Sequence, residues 1–201
     1  MSVERANRGT LQHVYEQTID ALVAAAAQRD QSAEGHSRRV TQYSVAIAQG
    51  MGLSGTELAN IKYAAGLHDI GKIAISRRTV NRLGRLTPNE FEIMKQHSLL
   101  SIRIIEKIDG LKDASQLVKY HYERYDGKGY PDGLMGESIP IGSRIICVAE
   151  AFDILTSDVP WRDAMEPQSA LAEIDTCAGS QFDPAVVCAL RAVISSGMRA
   201  F

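Results

Sequence analysis

A histidine and an aspartate stand side by side in the segment Leu67–Lys72, which reads LHDIGK. Ile61 and Ala65 precede them at helical spacing and place His68 on the same inward-facing stripe. The neighbouring carboxylate of Asp69 is costly to bury unless a cation or several hydrogen-bond donors meet it. The pair therefore indicates part of a metal site. The alternative is an inward helix end that carries a hydrogen-bonded histidine and aspartate.

Inward positions and helix junctions also carry three further histidines and one glutamate: His36, His97, His121 and Glu150. Each histidine comes from a different helix or helix end, and helical proteins build metal centres in their cores from several helices. Glu150 lies one turn from Ile146 on one side and one turn from Ile154 on the other, so its carboxylate is predicted to face inward. The alternatives are buried structural histidines and an acid paired with backbone N–H groups or an arginine.

Mixed imidazole and carboxylate ligands suit Fe, Mn, Ni or Zn better than Ca or Mg. Four histidines and two carboxylates are too many for one tetrahedral ion. We therefore predict two divalent transition metals, Fe or Mn in the first place and Ni or Zn as alternatives, with Asp69 as the bridge. Two such ions stabilise the oxygens of an in-line displacement at a phosphoester and activate a water as the nucleophile.

Helical periodicity and capping signals place these residues on helices. An amphipathic helix is predicted over residues 10–29, and His36 opens the next one. Capping boxes at Ser54–Glu57 and Thr87–Glu90 begin two further helices. The box that begins at Thr87 contains a proline at the first helical position, where its missing N–H does no harm.

The second half of the chain continues this pattern. Leu117 and His121 are assigned to one helix, residues 139–157 to another, and Asp183 caps a last helix that begins with a proline. Residues 123–133 are dense in glycine and are predicted to form a loop. No run alternates with the period of a strand over any length, so the predicted fold class is all-α.

The composition limits the class of protein. The chain has 201 residues, 45% of them hydrophobic and 23% charged, which fits a single domain over residues 1–201 with a proper core. A net charge of −2 argues against binding to a nucleic-acid polymer. No apolar run is long enough for a bilayer, the N-terminus lacks the apolar core of a secretory signal, and three cysteines form no Cys-x-x-Cys pair. The predicted location is the cytoplasm, without membrane contact.

Taken together, the motifs resemble those of HD-GYP domains, the cyclic di-GMP phosphodiesterase branch of the metal-dependent HD superfamily. Leu67–Lys72 resembles the first signature, and Glu123–Pro131, which reads ERYDGKGYP, resembles the highly specific second one. Gly35–Ser37, the segment 152–158 and Gly179–Pro184 also fit in order. The resemblance covers residues 21–190 and implies an HD-superfamily helical bundle with an HD-GYP loop and C-terminal helices, preceded by an N-terminal helix.

Carried over to this sequence, the resemblance implies metal ligands at positions already singled out: His36, His68, Asp69, His97 and His121. It gives Lys72 a role in neutralising charge on the transition state, so Asp69 and Lys72 are the predicted catalytic residues. Lys72 and Arg162 are the predicted cations for substrate phosphate. Gly129, Tyr130 and Pro131 are associated in the family with the substrate rim and with diguanylate cyclase partners.

The sequence departs from the family pattern at four positions. Glu150 stands where the family usually has an aspartate, and Tyr122 stands where it commonly has a second histidine. Ser32 replaces a glutamate of the three-metal members, and Val159 replaces an expected phosphate-binding arginine. The first three departures concern metal number and geometry and favour two metals over three, while the fourth concerns substrate affinity.

Two functions are therefore predicted. The first is a metal-dependent phosphodiesterase that opens cyclic di-GMP to linear pGpG, with GMP as a further product left open; the intact His68, Asp69 and Lys72 favour it. The second is a weakened HD-GYP signalling module that binds nucleotide or a partner protein, which Glu150 and Val159 favour. A homodimer is left open, and regulation is expected from a partner or from the remainder of a longer protein.

Overall fold

A computed structural model describes residue 14 and residues 16–25, 35–82, 87–158 and 162–197. These residues form helices and no strand, and Ala178 and Phe182 form an isolated bridge. In chain order the α-helices are α1 (16–25), α2 (His36–Gly50), α3 (Gly55–Leu67), α4 (Arg77–Val80), α5 (Pro88–Ile105), α6 (Lys112–Lys119), α7 (Ile141–Thr156), α8 (Pro167–Thr176) and α9 (Pro184–Ser195). Two 3₁₀ turns lie at Ile70–Ala74 and Gly136–Ser138. The all-α prediction is confirmed.

Helices α2, α3 and α7 pack against one another at the centre of the molecule. Their inward stripes are apolar at spacings of three and four residues, so each helix buries one face. Ile47 of α2, Ile61 of α3 and Phe152 of α7 are almost completely buried, and the Phe152 ring meets Tyr43 edge-on at 5.1 Å between centroids. Polar groups on these inward stripes therefore lie in the interior.

The helix that leads to His68 ends earlier than its periodicity predicts. Helix α3 stops at Leu67, His68 is the last residue with helical dihedrals, and Asp69 begins the 3₁₀ turn Ile70–Ala74. Gly71 explains the change, because a Cβ at this position would lie 2.0 Å from the carbonyl oxygen of His97 on α5. The absent side chain lets the turn pack directly against α5.

Two other predictions about helices are corrected. The prediction that His121 shares a helix with Leu117 is wrong, because α6 ends at Lys119 and His121 lies beyond it. Ser54 does precede α3, but its side chain forms no capping hydrogen bond. By contrast, the capping box of Thr87 and Glu90 is formed, with both reciprocal hydrogen bonds.

The remaining boundaries agree more closely with the predictions. The first helix is helical over 16–25, while residues 10–13, 15 and 26–29 of the predicted span lie outside the described residues. Helices α2 and α7 begin within two residues of their predicted starts, and the Asp183 carboxylate caps α9 by accepting from the N–H of Ala185. None of the described helices is long and apolar enough to cross a membrane.

Candidate metal centre

The six side chains predicted as metal ligands come from five parts of the fold and meet in one buried region. Helix α2 supplies His36, and the end of α3 supplies His68 and Asp69. Helix α5 supplies His97, the segment after α6 supplies His121 and α7 supplies Glu150. All six are buried: His36, His68, Asp69, His97, His121 and Glu150. The structure thus brings the predicted set together.

Asp69 lies at the centre of this group. Its Oδ2 is 3.5 Å from Nε2 of His68 and 3.8 Å from Nε2 of His36, while its Oδ1 is 3.5 Å from Nε2 of His97. One ligand atom each from His36, His68 and Asp69 lies within 4.8 Å of the others, a spacing that can hold a metal ion. Because the two carboxylate oxygens face different histidines, Asp69 has the arrangement that a bridging ligand needs.

The far side of the group pairs the remaining histidine with the remaining carboxylate. Nε2 of His121 lies 3.9 Å from Oε2 of Glu150. The ring of His121 is 5.5 Å from that of His68 and 6.1 Å from that of His97, between centroids. The histidines therefore enclose a common volume.

Three of the imidazoles are held in one tautomer by the backbone. Each Nδ1 donates to the carbonyl three residues earlier at 2.6–2.7 Å: His68 to Ala65, His97 to Met94 and His121 to Val118. Since a carbonyl can only accept, the proton lies on Nδ1 and the lone pair lies on Nε2.

The inward atoms of these side chains have no hydrogen-bond partner. They are Nε2 of His68, His97 and His121, and Oδ1 of Asp69, all of them buried. A buried polar atom left unpaired costs about 1–3 kcal/mol. Bound metal ions would satisfy such atoms, so the residues present fit the predicted metal group.

His36 is oriented by a carboxylate instead of a carbonyl. Its Nδ1 donates to Oδ2 of Asp153 at 2.7 Å, and Arg39 donates to both oxygens of that carboxylate. Burial opposes ionisation of Asp153, but the hydrogen bonds from His36 and Arg39 hold its pKa below the ordinary value. Burial also disfavours protonated His36, yet the bond to Asp153 and the nearby charges of Asp69 and Glu150 together outweigh burial and raise the pKa of His36. A carboxylate behind a ligating histidine is a common orienting device at metal sites.

The role of Asp153 and Arg39 was missed from the sequence. A signal was present, because Asp153 follows Glu150 by three residues on α7 and Arg39 follows His36 by three on α2. Residues three apart share a helix face. What the spacing does not give is the distance between the two helices.

At His97, His121 and Asp69, electrostatics favours the protonation states that a metal needs. Burial lowers the pKa of His121 to about 4 and also lowers the pKa of His97, so both imidazoles are neutral at pH 7. Burial opposes the charge on Asp69, but the Lys72 ammonium, 2.7 Å from Oδ2, and the surrounding His68, His97 and His36 together hold the pKa of Asp69 well below its ordinary value. A neutral imidazole and an ionised carboxylate are the ligating forms.

The two predicted phosphate-binding cations have different surroundings. Lys72 is inside the group, on Asp69. The guanidinium of Arg162 donates instead to the carbonyls of Leu155 and Ile154 near the end of α7, at 2.9 and 2.5 Å. It thereby satisfies carbonyls of the last turn of that helix. Val159 and Ser32 lie outside the described residues.

Tyr122, interpreted from the sequence as a lost ligand, contacts the predicted ligand Glu150. Its hydroxyl donates to Oε1 of Glu150 at 2.8 Å, and its ring stacks on Tyr130 with 5.2 Å between centroids. Burial, together with the carboxylates of Glu150 and Asp69, raises the pKa of Tyr122 well above its ordinary value, so the hydroxyl keeps its proton. Tyr130 of the Gly-Tyr-Pro loop thus contacts Tyr122, which in turn is hydrogen-bonded to Glu150 of the ligand group.

Glu123 anchors that loop, a role that its place in the sequence does not indicate. Its Oε1 accepts from the N–H groups of Asp132 and Gly133 at 2.7 and 2.9 Å. Gly129 passes so close to the backbone of residues 123–124 that a Cβ there would lie 2.3 Å from the nitrogen of Arg124. The glycine between these contacts lets the loop fold back on its own beginning.

Comparison with known proteins identifies the family. Residues 20–186 match the family described as HD domain. The chain belongs to the HD domain family. It is 38% identical over 173 residues to a cyclic di-GMP phosphodiesterase of Thermotoga maritima, covering 85% of this chain and 47% of that protein. It is 35% identical over 195 residues to the cyclic di-GMP phosphodiesterase response regulator RpfG of Xanthomonas campestris, covering 94% of this chain and 52% of that protein.

A solved structure shares the fold of this HD domain chain. The crystal structure of a cyclic GMP-AMP-specific phosphodiesterase of V. cholerae superimposes with a TM-score of 0.68 at 19% identity, over 88% of this chain and 48% of that chain. The HD-GYP resemblance read from the signatures is confirmed by these relatives. The chain spans about half the length of the curated relatives it matches.

Proposed function

We propose that this HD domain chain is a metal-dependent phosphodiesterase that opens cyclic di-GMP to linear pGpG. The observation that carries the proposal is the set of buried, unpaired ligand atoms around Asp69, because bound cations would satisfy these atoms together. The relatives named cyclic di-GMP phosphodiesterases support the substrate.

The proposed ligands are the six residues of the buried group, with Asp69 between two divalent ions. Fe or Mn is the first choice, and Ni or Zn fits the same donors. When bound, such ions polarise a phosphoester and lower the pKa of a water molecule. The single domain over residues 1–201, the cytoplasmic location, a homodimer and a diguanylate cyclase or regulator at the Gly-Tyr-Pro loop stay predictions.

The chain's own residues prepare the site before substrate arrives. The backbone carbonyls behind His68, His97 and His121 fix the imidazole rings, so that their Nε2 atoms do not have to reorient on binding. Lys72 holds a positive charge beside Asp69, where charge on a transferring phosphoryl group would be stabilised.

Substrate phosphate has fewer available cations than the two that the sequence predicts. The guanidinium of Arg162 is engaged by two helix carbonyls, so its donors are shared between α7 and any substrate. This observation favours the second function, a module that binds nucleotide with little turnover. We place the enzyme first because the ligand group and Lys72 are complete.

The test is turnover by the purified chain loaded anaerobically with Mn(II) or Fe(II). The expected result is conversion of cyclic di-GMP to pGpG, absent after chelation and absent from Asp69→Ala. 3′3′-cGAMP, named as the substrate of a Vibrio cholerae relative that is 33% identical over 161 residues, serves as the competing substrate. Binding of cyclic di-GMP by metal-loaded protein without any product would refute the enzyme and support the signalling module.

A further inference from the structure

Two departures from the family pattern meet in one hydrogen bond. The Tyr122 hydroxyl donates to Oε1 of Glu150 at 2.8 Å, and Oε2 of the same carboxylate lies 3.9 Å from Nε2 of His121. Glutamate has one more rotatable bond than aspartate, and an unrestrained carboxylate loses conformational entropy when a metal fixes it. A donor on one oxygen restricts that freedom and presents the other oxygen to the histidines.

The Tyr122 ring is itself held between the ligand group and the loop. It lies 4.1 Å from the ring of His121 and meets the ring of His97 edge-on at 5.3 Å. On its other side it stacks on Tyr130, with 5.2 Å between centroids and 15° between planes. Any displacement of Tyr130 therefore bears on the ring whose hydroxyl orients Glu150.

We propose that Tyr122 is a positioning residue of the metal centre: its hydroxyl orients the Glu150 carboxylate, and its ring transmits the position of Tyr130 to that carboxylate. The inference rests on the proposed metal-dependent function and adds a route by which the Gly-Tyr-Pro loop regulates it. A molecule that moves the loop would change metal affinity without touching a ligand.

The first test is the affinity for Mn(II) without substrate, measured by competition with a chromogenic chelator. Tyr122→Phe keeps the ring and removes the donor, and the expected loss is about ten- to a hundredfold, as for other orienting partners of metal ligands. Tyr120→Phe is the matched control: its hydroxyl donates to Asp132 at the surface, and because Lys119 also donates to that carboxylate, the loop should keep its position and the affinity should be unchanged. Equal affinities of Tyr122→Phe and wild type would overturn the inference.

A double-mutant cycle with Glu150→Ala separates positioning from general support of the fold. If the hydroxyl acts through the carboxylate, Tyr122→Phe has no further effect on Mn(II) affinity once Glu150 is truncated. Fully additive losses would show that the tyrosine acts elsewhere and would also overturn the inference. Far-UV circular dichroism of each variant checks that the helices are retained.

The coupling to the loop is tested at Tyr130. Tyr130→Leu removes the stacked ring and should weaken Mn(II) binding in the same direction as Tyr122→Phe, whereas Tyr130→Phe keeps the ring and the Mn(II) affinity. Identical affinities of these two variants would overturn the transmission from the loop. A wild-type chain that binds no Mn(II) or Fe(II) would instead refute the proposed function, and this inference with it, so the two failures are distinguishable.

Discussion

Gly71→Ala is the substitution for which the structure gives the sharpest expectation. A Cβ at this position would lie 2.0 Å from the carbonyl oxygen of His97 and 2.6 Å from the backbone nitrogen of Ser101. Both are backbone atoms of α5 and cannot rotate away. To reach an ordinary contact of 3.4 Å, the 3₁₀ turn and α5 must separate by about 1.4 Å.

The cost has two parts. Overpacking of this kind costs about 1–3 kcal/mol, and the buried hydrogen bond from the Gly71 N–H to Ser101 Oγ, now 2.8 Å long, is worth about 0.5–1.5 kcal/mol. We expect a loss of about 2–4 kcal/mol in the free energy of unfolding. For a domain of this size that lowers Tm by about 4–16 °C.

Urea denaturation of chelator-treated protein, followed by far-UV circular dichroism, measures the loss. Gly50→Ala is the control, because Gly50 ends α2 with no atom within 4 Å of its added Cβ and should be neutral or slightly stabilising. Gly71→Ala should also weaken metal binding, since His97 moves away from Asp69. Stability equal to wild type would refute the packing argument, and unchanged metal affinity would refute the placement of His97 by this contact.

Four further outcomes are expected. Asp69→Ala should abolish hydrolysis while keeping the helical circular dichroism spectrum, and wild-type turnover with metal bound would exclude the proposed centre. Metal analysis after anaerobic loading should give about two ions per chain, and a value near three would show that the missing family ligands are not needed. Arg162→Ala should lower the free energy of unfolding by about 1–2 kcal/mol, because it removes the guanidinium that caps α7. It should weaken cyclic di-GMP binding only if the guanidinium also contacts phosphate. Unchanged stability would contradict the capping role. Hydrogen bonds from Thr87 hold the pKa of Glu90 at about 2 against an ordinary 4.5. The ionised Glu90 carboxylate should therefore stabilise the fold fully above pH 4.5, and this stabilisation should be lost toward pH 2. A Tm difference between wild type and Glu90→Gln that is the same at pH 7 and pH 2 would contradict this.

The sequence predicted the ligand group because each member is marked locally. A capping box, an apolar stripe and a glycine-rich loop are properties of a few adjacent residues, so helix positions and inward faces could be read from them. The same signals do not report distances between helices. The bond between Tyr122 and Glu150 joins a loop to α7, and the bond between His36 and Asp153 joins α2 to α7. Neither pair has a spacing along the chain that would predict contact.

Arg162 shows a different limit of sequence reasoning. A match to a family position identifies a basic residue, but the direction of its side chain depends on the acceptors nearby. At the end of α7 the carbonyls of Ile154 and Leu155 are such acceptors, and the guanidinium binds them. Helix C-terminal carbonyls lack intrahelical partners and attract cationic donors. The family position alone could not distinguish this helix cap from a phosphate contact.

The helix ends at His68 and His121 have a common physical origin. Both histidines lie just past the last residue of a helix, α3 or α6, and both donate Nδ1–H to a carbonyl of its final turn, that of Ala65 or Val118. Carbonyls of a final turn lack the N–H partners that an ongoing helix would supply. The imidazole therefore satisfies the helix end and, by the same bond, leaves its Nε2 lone pair directed at the metal site. Periodicity assigned both residues to helices because a residue that caps a helix keeps nearly helical spacing, while its side chain already serves the site.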